Sequence, residues 1–425
     1  MQGVSLSTSN ITSLFDCTAY IQTDPVIATV SRLAPGVRQG MFLIDSITSL
    51  FTLRWAQQKP KLRPLPPHIT RTFVTTANGD LELLICEPAT SSTKHAKSSQ
   101  PPIFFAHGGC GSAGVWLEWM DYLHKHDYSG TLYAYSIRNH GASYTLPYWR
   151  MVFQTPFEDI QADMTSCLDY VNQREEKLNS MARAPILVGH SSGGGLSQSL
   201  LAGTSSNPRL RAKASGLCLV GAIPSFGSYD MYFNWWKHDP WFPLRSMLHL
   251  QHPNSPLSTD QLVHSAFFGH KFPMSQTGAF KQWMPAFESM GWPTGMVGNS
   301  FWGWCTGKPN TWLSCDDIAS NIQNIGNSRD KVCIIIGKED MMYRPWMWER
   351  QSKEYQTALG HFKNLKNVDE IAAPVISSDS LIESVSVKSE GGVRTILVED
   401  SGHHVQNDVH CEQAAKAFLR WANQV

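Results

Sequence analysis

Short apolar runs alternate with longer amphipathic stretches along most of this chain. The runs at residues 102–106, 131–136, 185–188, 214–222, 331–337 and 393–398 are uninterrupted or nearly so, which suits strands buried on both faces. Residues 71–76 and 81–86 flank Asn78-Gly79-Asp80, a turn signal, and read as a hairpin. Between the runs lie helical patterns. Val115, Trp116, Trp119, Met120, Tyr122 and Leu123 form one apolar face, and Ile160, Met164, Cys167, Leu168 and Val171 form another. Residues 194–202, part of 341–355, and 405–423 complete the series. Strands alternating with helices predict βαβ units, hence a mostly parallel sheet of about eight strands with helices on both faces and right-handed crossovers.

Two regions break this rhythm. Residues 1–67 form an N-terminal extension with two helical patterns, 25–34 and 41–57, and a Pro-rich connector at 59–67. Residues 224–328 hold Trp235, Trp236, Trp241, Trp283, Trp292, Trp302, Trp304 and Trp312, many methionines and few charges. Lying between two sheet strands, this stretch reads as an inserted cap. The expected organisation is an extension at 1–67, a first core part at 68–223, the cap at 224–328 and a second core part at 329–425. The stretch 364–392 reads as a polar surface excursion.

Composition narrows the function. Net charge is zero, the predicted pI is 7.3, and charged residues make up only 16 % of the chain. No basic stripe calls for a nucleic acid partner. No run approaches the ~18 apolar residues of a membrane span, so no integral membrane segment is expected. The first ten residues lack the features of a signal peptide, and nine cysteines without paired spacing suit reduced thiols, so a cytoplasmic location is expected. No His/Cys cluster points to a metal, and no cofactor is called for. The frequent tryptophan and methionine suit a bulky apolar ligand, and a homodimer is left open.

The chemistry gathers at the ends of the predicted strands, where open parallel sheets place ligands. Gly189-His190-Ser191-Ser192-Gly193 follows one strand and opens a helix, the context of a nucleophile elbow. As a bare pattern it would equally suit a Gly-rich turn that lets a helix pack closely. His107-Gly108-Gly109 follows the third strand, Gly337-Lys338-Glu339-Asp340 the penultimate one, and Gly402-His403 the last.

These four motifs, in this order, resemble the α/β-hydrolase superfamily across roughly 70–223 and 330–425. Arg138-Asn139-His140-Gly141-Ala142-Ser143 is similar to the family's turn after the fourth strand, with Asn139 where glycine is usual. The resemblance implies an α/β-hydrolase fold, with Ser191 as nucleophile, Asp340 as acid and His403 as base. It also implies the backbone N–H groups of Gly109 and Ser192 as oxyanion donors. These residue types suit such chemistry, because imidazole takes a serine proton near neutral pH and a carboxylate fixes its tautomer. Asp230 is the alternative acid and His404 the alternative base, while Glu339 or Asp340 could instead cap a helix. Trp235, Trp236 and His107 are assigned to substrate binding, although His107 also suits a brace for the oxyanion loop. His190 is expected to pack, and nothing marks Cys110 as a nucleophile.

The expected activity is a serine hydrolase that cleaves an ester, thioester or lactone of a bulky apolar acyl compound through an acyl-enzyme. The extension and the Trp-rich cap look similar to hydrolases of fungal natural-product pathways, which implies secondary metabolism. The same residues would also serve an acyltransferase, a lyase or cyclase using His403 as base, or a ligand receptor on this fold.

Overall fold

The computed structural model describes residues 53–56, 59–89, 100–179, 182–205, 207–299, 305–325, 330–364 and 383–425, with isolated positions at 44, 47, 49 and 303. Residues 1–43, most of the expected N-terminal extension, lie outside the described residues. Strands β1 (Ile69–Thr76) and β2 (Gly79–Cys86) form the expected hairpin, with Thr76 paired to Gly79. They are followed by β3 (Ile103–Ala106), β4 (Leu132–Tyr135), β5 (Ile186–His190), β6 (Gly216–Val220), β7 (Val332–Gly337), β8 (Val385–Glu390) and β9 (Val393–Val398). One sheet contains all nine, in the order β1-β2-β4-β3-β5-β6-β7-β9-β8. The six strands from β4 to β9 in that order run parallel, while β1, β2 and β8 are antiparallel to their neighbours.

The sheet therefore has nine strands rather than eight. The extra one, β8, lies in the stretch expected to be a polar excursion. Its side chains alternate between buried Val385 and exposed Ser386, Lys388 and Glu390, as an edge strand with one wet face requires. Gly391 and Gly392 connect it to β9 with φ of 60° and 88°, the paired positive values of a two-residue hairpin turn.

Helices cover both faces. On one, α1 (Leu117–Lys125) packs against α12 (Cys411–Ala422). Trp116, Trp119, Phe418 and Trp421 are fully buried there, and Phe418 lies 5.2 Å from Trp119 and 6.3 Å from Phe105 between ring centroids. The other layer contains α3 (Phe157–Leu178), preceded by the short α2 (Tyr148–Gln154), and α4 (Ser192–Ala202). Between β6 and β7 the chain makes α5 (Tyr229–His238), α6 (Phe242–Leu248), α7 (Asp260–Phe267), α8 (Met274–Lys281), α9 (Gly291–Thr294) and α10 (Cys315–Ser320). Helix α10 packs on α4 and on α11 (Pro345–Asn364). No helix among the described residues is long and apolar enough to cross a membrane.

Phe418 joins α12 to α1 and the sheet, so truncating it leaves a cavity in a tightly packed aromatic cluster. Phe418→Ala is expected to cost about 3–5 kcal/mol. Urea unfolding should show this as a lower midpoint with an unchanged slope.

Candidate active site

The sheet order decides where the site can be. From β3 the chain turns to β4 on one side, and β5 lies on the other, so the carboxyl ends of β3 and β5 flank the crevice where the strand order reverses. Ala106 and Gly189 are register partners, which sets the loop after β3 beside the turn after β5. Ser191 sits in that turn with φ 49° and ψ −123°, a strained conformation for a residue with a side chain. Its N–H donates to Val220 O at 3.0 Å, and its own carbonyl accepts from Ile223 N at 3.0 Å and Gly194 N at 3.0 Å. A side chain at Gly193 would place Cβ 2.2 Å from His107 O, so the close approach of elbow and loop demands glycine.

Asp340 and His403 come from the loops after β7 and β9, which are parallel neighbours. His403 Nδ1 lies 2.7 Å from Asp340 Oδ2, and both side chains are buried. Asp340 Oδ1 accepts from the N–H groups of Met342 at 2.8 Å and Tyr343 at 2.9 Å. These donors fix the carboxylate, and its other oxygen directs the imidazole. His403 Nε2 is buried and has no hydrogen-bond partner among the described residues, so Ser191 and His403 line one cavity without being hydrogen-bonded to each other. The His403 carbonyl accepts from His190 Nε2 at 3.0 Å. Burial, then the charges of His404 and His403, push the His190 imidazole well below its usual range, in keeping with this neutral donor role.

The loop that carries His403 is anchored by Asp408. Its Oδ2 accepts from Gly402 N at 2.7 Å and from Gly269 N, just after α7, at 2.8 Å, and its Oδ1 accepts from Val409 N at 2.8 Å. Burial pushes this carboxyl up to about 6 against the pull of those three donors.

The cavity at Ser191 measures about 80 Å³. Apart from the elbow, the oxyanion loop and His403, its walls are mostly apolar, among them Ile223, Met231, Trp235, Phe267 and Trp292. A larger open groove of about 410 Å³ lies between α11 and the β8–β9 edge, lined by Ser352, Lys353, Ser386, Lys388 and Glu390 with no histidine or aspartate beside its hydroxyls. The cavity at Ser191 is therefore the chemically equipped one.

Several expected positions move. The N–H of Gly109 donates to Ser192 Oγ at 2.7 Å, so it is not free for an oxyanion. The Ser192 N–H, at the first position of α4, has no partner among the described residues and stays available. His107 does not reach the cavity. Its Nδ1–H donates to Gly108 O at 2.7 Å, and its Nε2 accepts from Ile137 N at 3.2 Å, so it braces the loop instead. Trp235 lines the cavity, but Trp236, the next residue of α5, faces away and is 46 % exposed, because adjacent helical residues diverge by about 100°. Asp230 is half-buried, and Asp340 occupies the contact with His403 that it would need. His404 Nδ1 meets Asn407 Oδ1 at 2.9 Å, and burial pushes that imidazole down to about 3. Glu339 pairs with His270 rather than with either histidine of the β9 loop. Asn139 has φ 65°, which explains why this turn favours glycine and why asparagine can replace it.

One wall residue has no counterpart in the sequence motifs. Glu288, from the loop before α9, lines the cavity, and its Oε2 accepts from Cys110 N at 2.8 Å. It is the single glutamate between residues 224 and 325, an available but unused signal in so uncharged a stretch.

A strained serine between a β-strand and a helix, on a sheet of this order, defines the fold as that of an α/β hydrolase. The alpha/beta hydrolase family model matches residues 103–417, and the chain belongs to that family. No curated protein sequence matches it. Among solved structures it is similar to an esterase from Exiguobacterium antarcticum, at 12 % identity and TM-score 0.46, covering 83 % of this chain and 100 % of that one. It is similar to haloalkane dehalogenase DatA from Agrobacterium tumefaciens C58, at 13 % identity and TM-score 0.49, covering 84 % and 97 %. Carboxylesterase CesB from Bacillus subtilis gives 14 % identity and TM-score 0.43, covering 91 % and 97 %. Likenesses this distant carry no argument about activity.

The Asp408 carboxyl yields a pH test. The folded chain holds this proton up to about pH 6, whereas an unfolded carboxyl releases it near pH 4. The folded state thus binds more protons in between, and its stability falls as pH rises from about 4 to about 6. In Asp408→Asn that component vanishes. The stability difference between wild type and variant, from urea unfolding across that range, should change by about 3 kcal/mol, in the direction of a less stable wild type at higher pH.

Proposed function

We propose that this protein is a serine hydrolase that cleaves an ester, thioester or lactone bond of an apolar acyl compound through an acyl-enzyme. The observation that carries this reading is the buried Asp340–His403 contact at 2.7 Å, with His403 Nε2 unpartnered in the cavity that Ser191 lines.

The steps follow from the atoms. Ser191 Oγ attacks the acyl carbonyl while His403 Nε2 takes its proton. Asp340 holds the tautomer with the proton on Nδ1, leaving Nε2 as the acceptor, and stabilises the imidazolium that forms. The tetrahedral oxyanion meets the free N–H of Ser192 at the start of α4. The Ser192 hydroxyl, which accepts from Gly109 N–H, has its own proton to offer as a second donor. His403 then returns the proton to the leaving group, and a water activated by Nε2 releases the acyl chain.

The insert between β6 and β7 acts in this reading as a cap, because Met231, Tyr232 and Trp235 of α5 and Trp292 of α9 roof the cavity. A cavity of about 80 Å³ accommodates a small acyl group, not a whole bulky molecule. Such a substrate keeps its remainder outside or displaces the cap on entry.

A fluorophosphonate probe should label the wild type at Ser191 and fail on Ser191→Ala, as read by intact-mass spectrometry. Absence of labelling on the wild type would overturn the acyl-enzyme reading. With an activated ester, Asp340→Asn should lower kcat by about 10⁴ by favouring the wrong tautomer. Asp230→Asn, which removes no hydrogen bond to His403, should change it little.

A further inference from the structure

Glu288 is out of place as a structural residue. Its wall neighbours Ile223, Met231, Leu257, Phe267, Trp292 and Pro293 are apolar, and a carboxylate there loses hydration, with the His140 imidazole its one ion-pair partner among the described residues. Among the described residues, no lysine or arginine forms an ion pair with it. Its Oε2 is held by Cys110 N at 2.8 Å and faces His140 Nε2 at 3.4 Å. The Cys110 thiol is a second donor near the same carboxylate, and the side chain, which lines the cavity, retains 15 % exposure. One carboxylate oxygen is therefore fastened to the oxyanion loop while the other is offered to whatever enters.

Its position relative to the reacting carbonyl is also defined. Cys110 is one residue beyond Gly109, whose N–H meets the Ser192 hydroxyl. A Cβ built on Gly109 would lie 3.2 Å from Glu288 Oε1 and 3.6 Å from Ser192 Oγ, so the two oxygens flank the same small space. An acyl oxygen received at Ser192 has the Glu288 carboxylate as its neighbour on the Gly109 side. A carboxylate beside a developing oxyanion is repulsive unless a donor lies between or alongside them. The Cys110 thiol and the His140 ring lie beside this carboxylate, and a donor on the substrate adds to them on the cavity side.

We propose that Glu288 is a substrate-binding residue, whose free carboxylate oxygen receives a hydrogen-bond donor, hydroxyl or ammonium, carried close to the acyl carbonyl. The substrate class is thus a short 3-hydroxyacyl or 3-aminoacyl ester or thioester, and acyl chains ending in a carboxylate at that position are excluded. The inference deepens the hydrolase reading and rests on it for the placement of the carbonyl.

The test compares p-nitrophenyl esters of butanoate, 3-hydroxybutanoate, 3-aminobutanoate and hydrogen succinate. The wild type should favour the hydroxy and amino esters over butanoate by about tenfold or more in kcat/KM, and should discriminate against the succinyl ester. Glu288→Gln keeps an acceptor for Cys110 N–H but replaces the free oxygen with an NH₂ donor. It should lose the preference for the amino ester and improve on the succinyl ester, each read relative to its own activity on butanoate. Unchanged preferences in Glu288→Gln, or none in the wild type, would overturn the proposal.

Binding separates this outcome from the chemistry. In Ser191→Ala, with and without Glu288→Gln, the affinities of the four methyl esters are read from quenching of tryptophan fluorescence, since Trp235 and Trp292 line the cavity. The hydroxy and amino esters should bind tighter only when Glu288 is present. Equal affinities, or no binding of any ester, would count against the assignment of Glu288. Failure of the hydrolase reading appears separately, as an unlabelled Ser191 in the wild type.

Discussion

The contact between Asp340 and His403 is the interaction on which the rest of the site depends. Each residue leaves a different strand, and neither loop is regular. A buried carboxylate beside an imidazole is stable only when its remaining lone pairs are occupied. Met342 and Tyr343 supply two N–H groups to the carboxylate, and Asp408 ties down the backbone at Gly402, just before the histidine. His190 holds the carbonyl of His403 from within the elbow. The nucleophile turn and the base loop are therefore fastened to each other through the backbone before any substrate is present. Their side chains need no direct bond to stay near one another.

The fold was legible wherever a strand was buried on both faces. The runs at β3, β5, β6 and β7 are apolar without interruption, and each ends in a motif whose spacing marks a strand-to-loop transition. Strand β8 was not, because an edge strand carries one wet face and its Lys388 and Glu390 resemble a loop. The Gly391-Gly392 pair was its one local signal. In the site, the placing of Ser191, Asp340 and His403 at one cavity was readable because each follows a strand at a motif of fixed residue type and chain position. Trp235 and Trp236 were not separable, since which face of α5 meets the cavity is decided by tertiary packing. His107 carried the same ambiguity, and only the positions of Gly108 and Ile137 resolve it as a brace. Glu288 is far from every motif in sequence and reaches the oxyanion loop only through the path of the insert.

The insert does more than cover the serine. It supplies most of the apolar wall and, through Glu288, a charged group to a corner otherwise built from backbone donors. The carboxyl ends of the inner strands thus place Ser191, Asp340 and His403, and the insert provides most of the wall around them. Variation in the insert could change which acyl compounds are accepted without altering the geometry at His403.

Asp408 connects those two parts. One oxygen of its carboxylate accepts both Gly269 N from the insert and Gly402 N from the base loop. Any displacement of the insert at Gly269 strips a donor from a buried carboxylate and loosens the segment that aims His403. The insert and the segment before His403 therefore share one buried oxygen, and a change at either bears on the other.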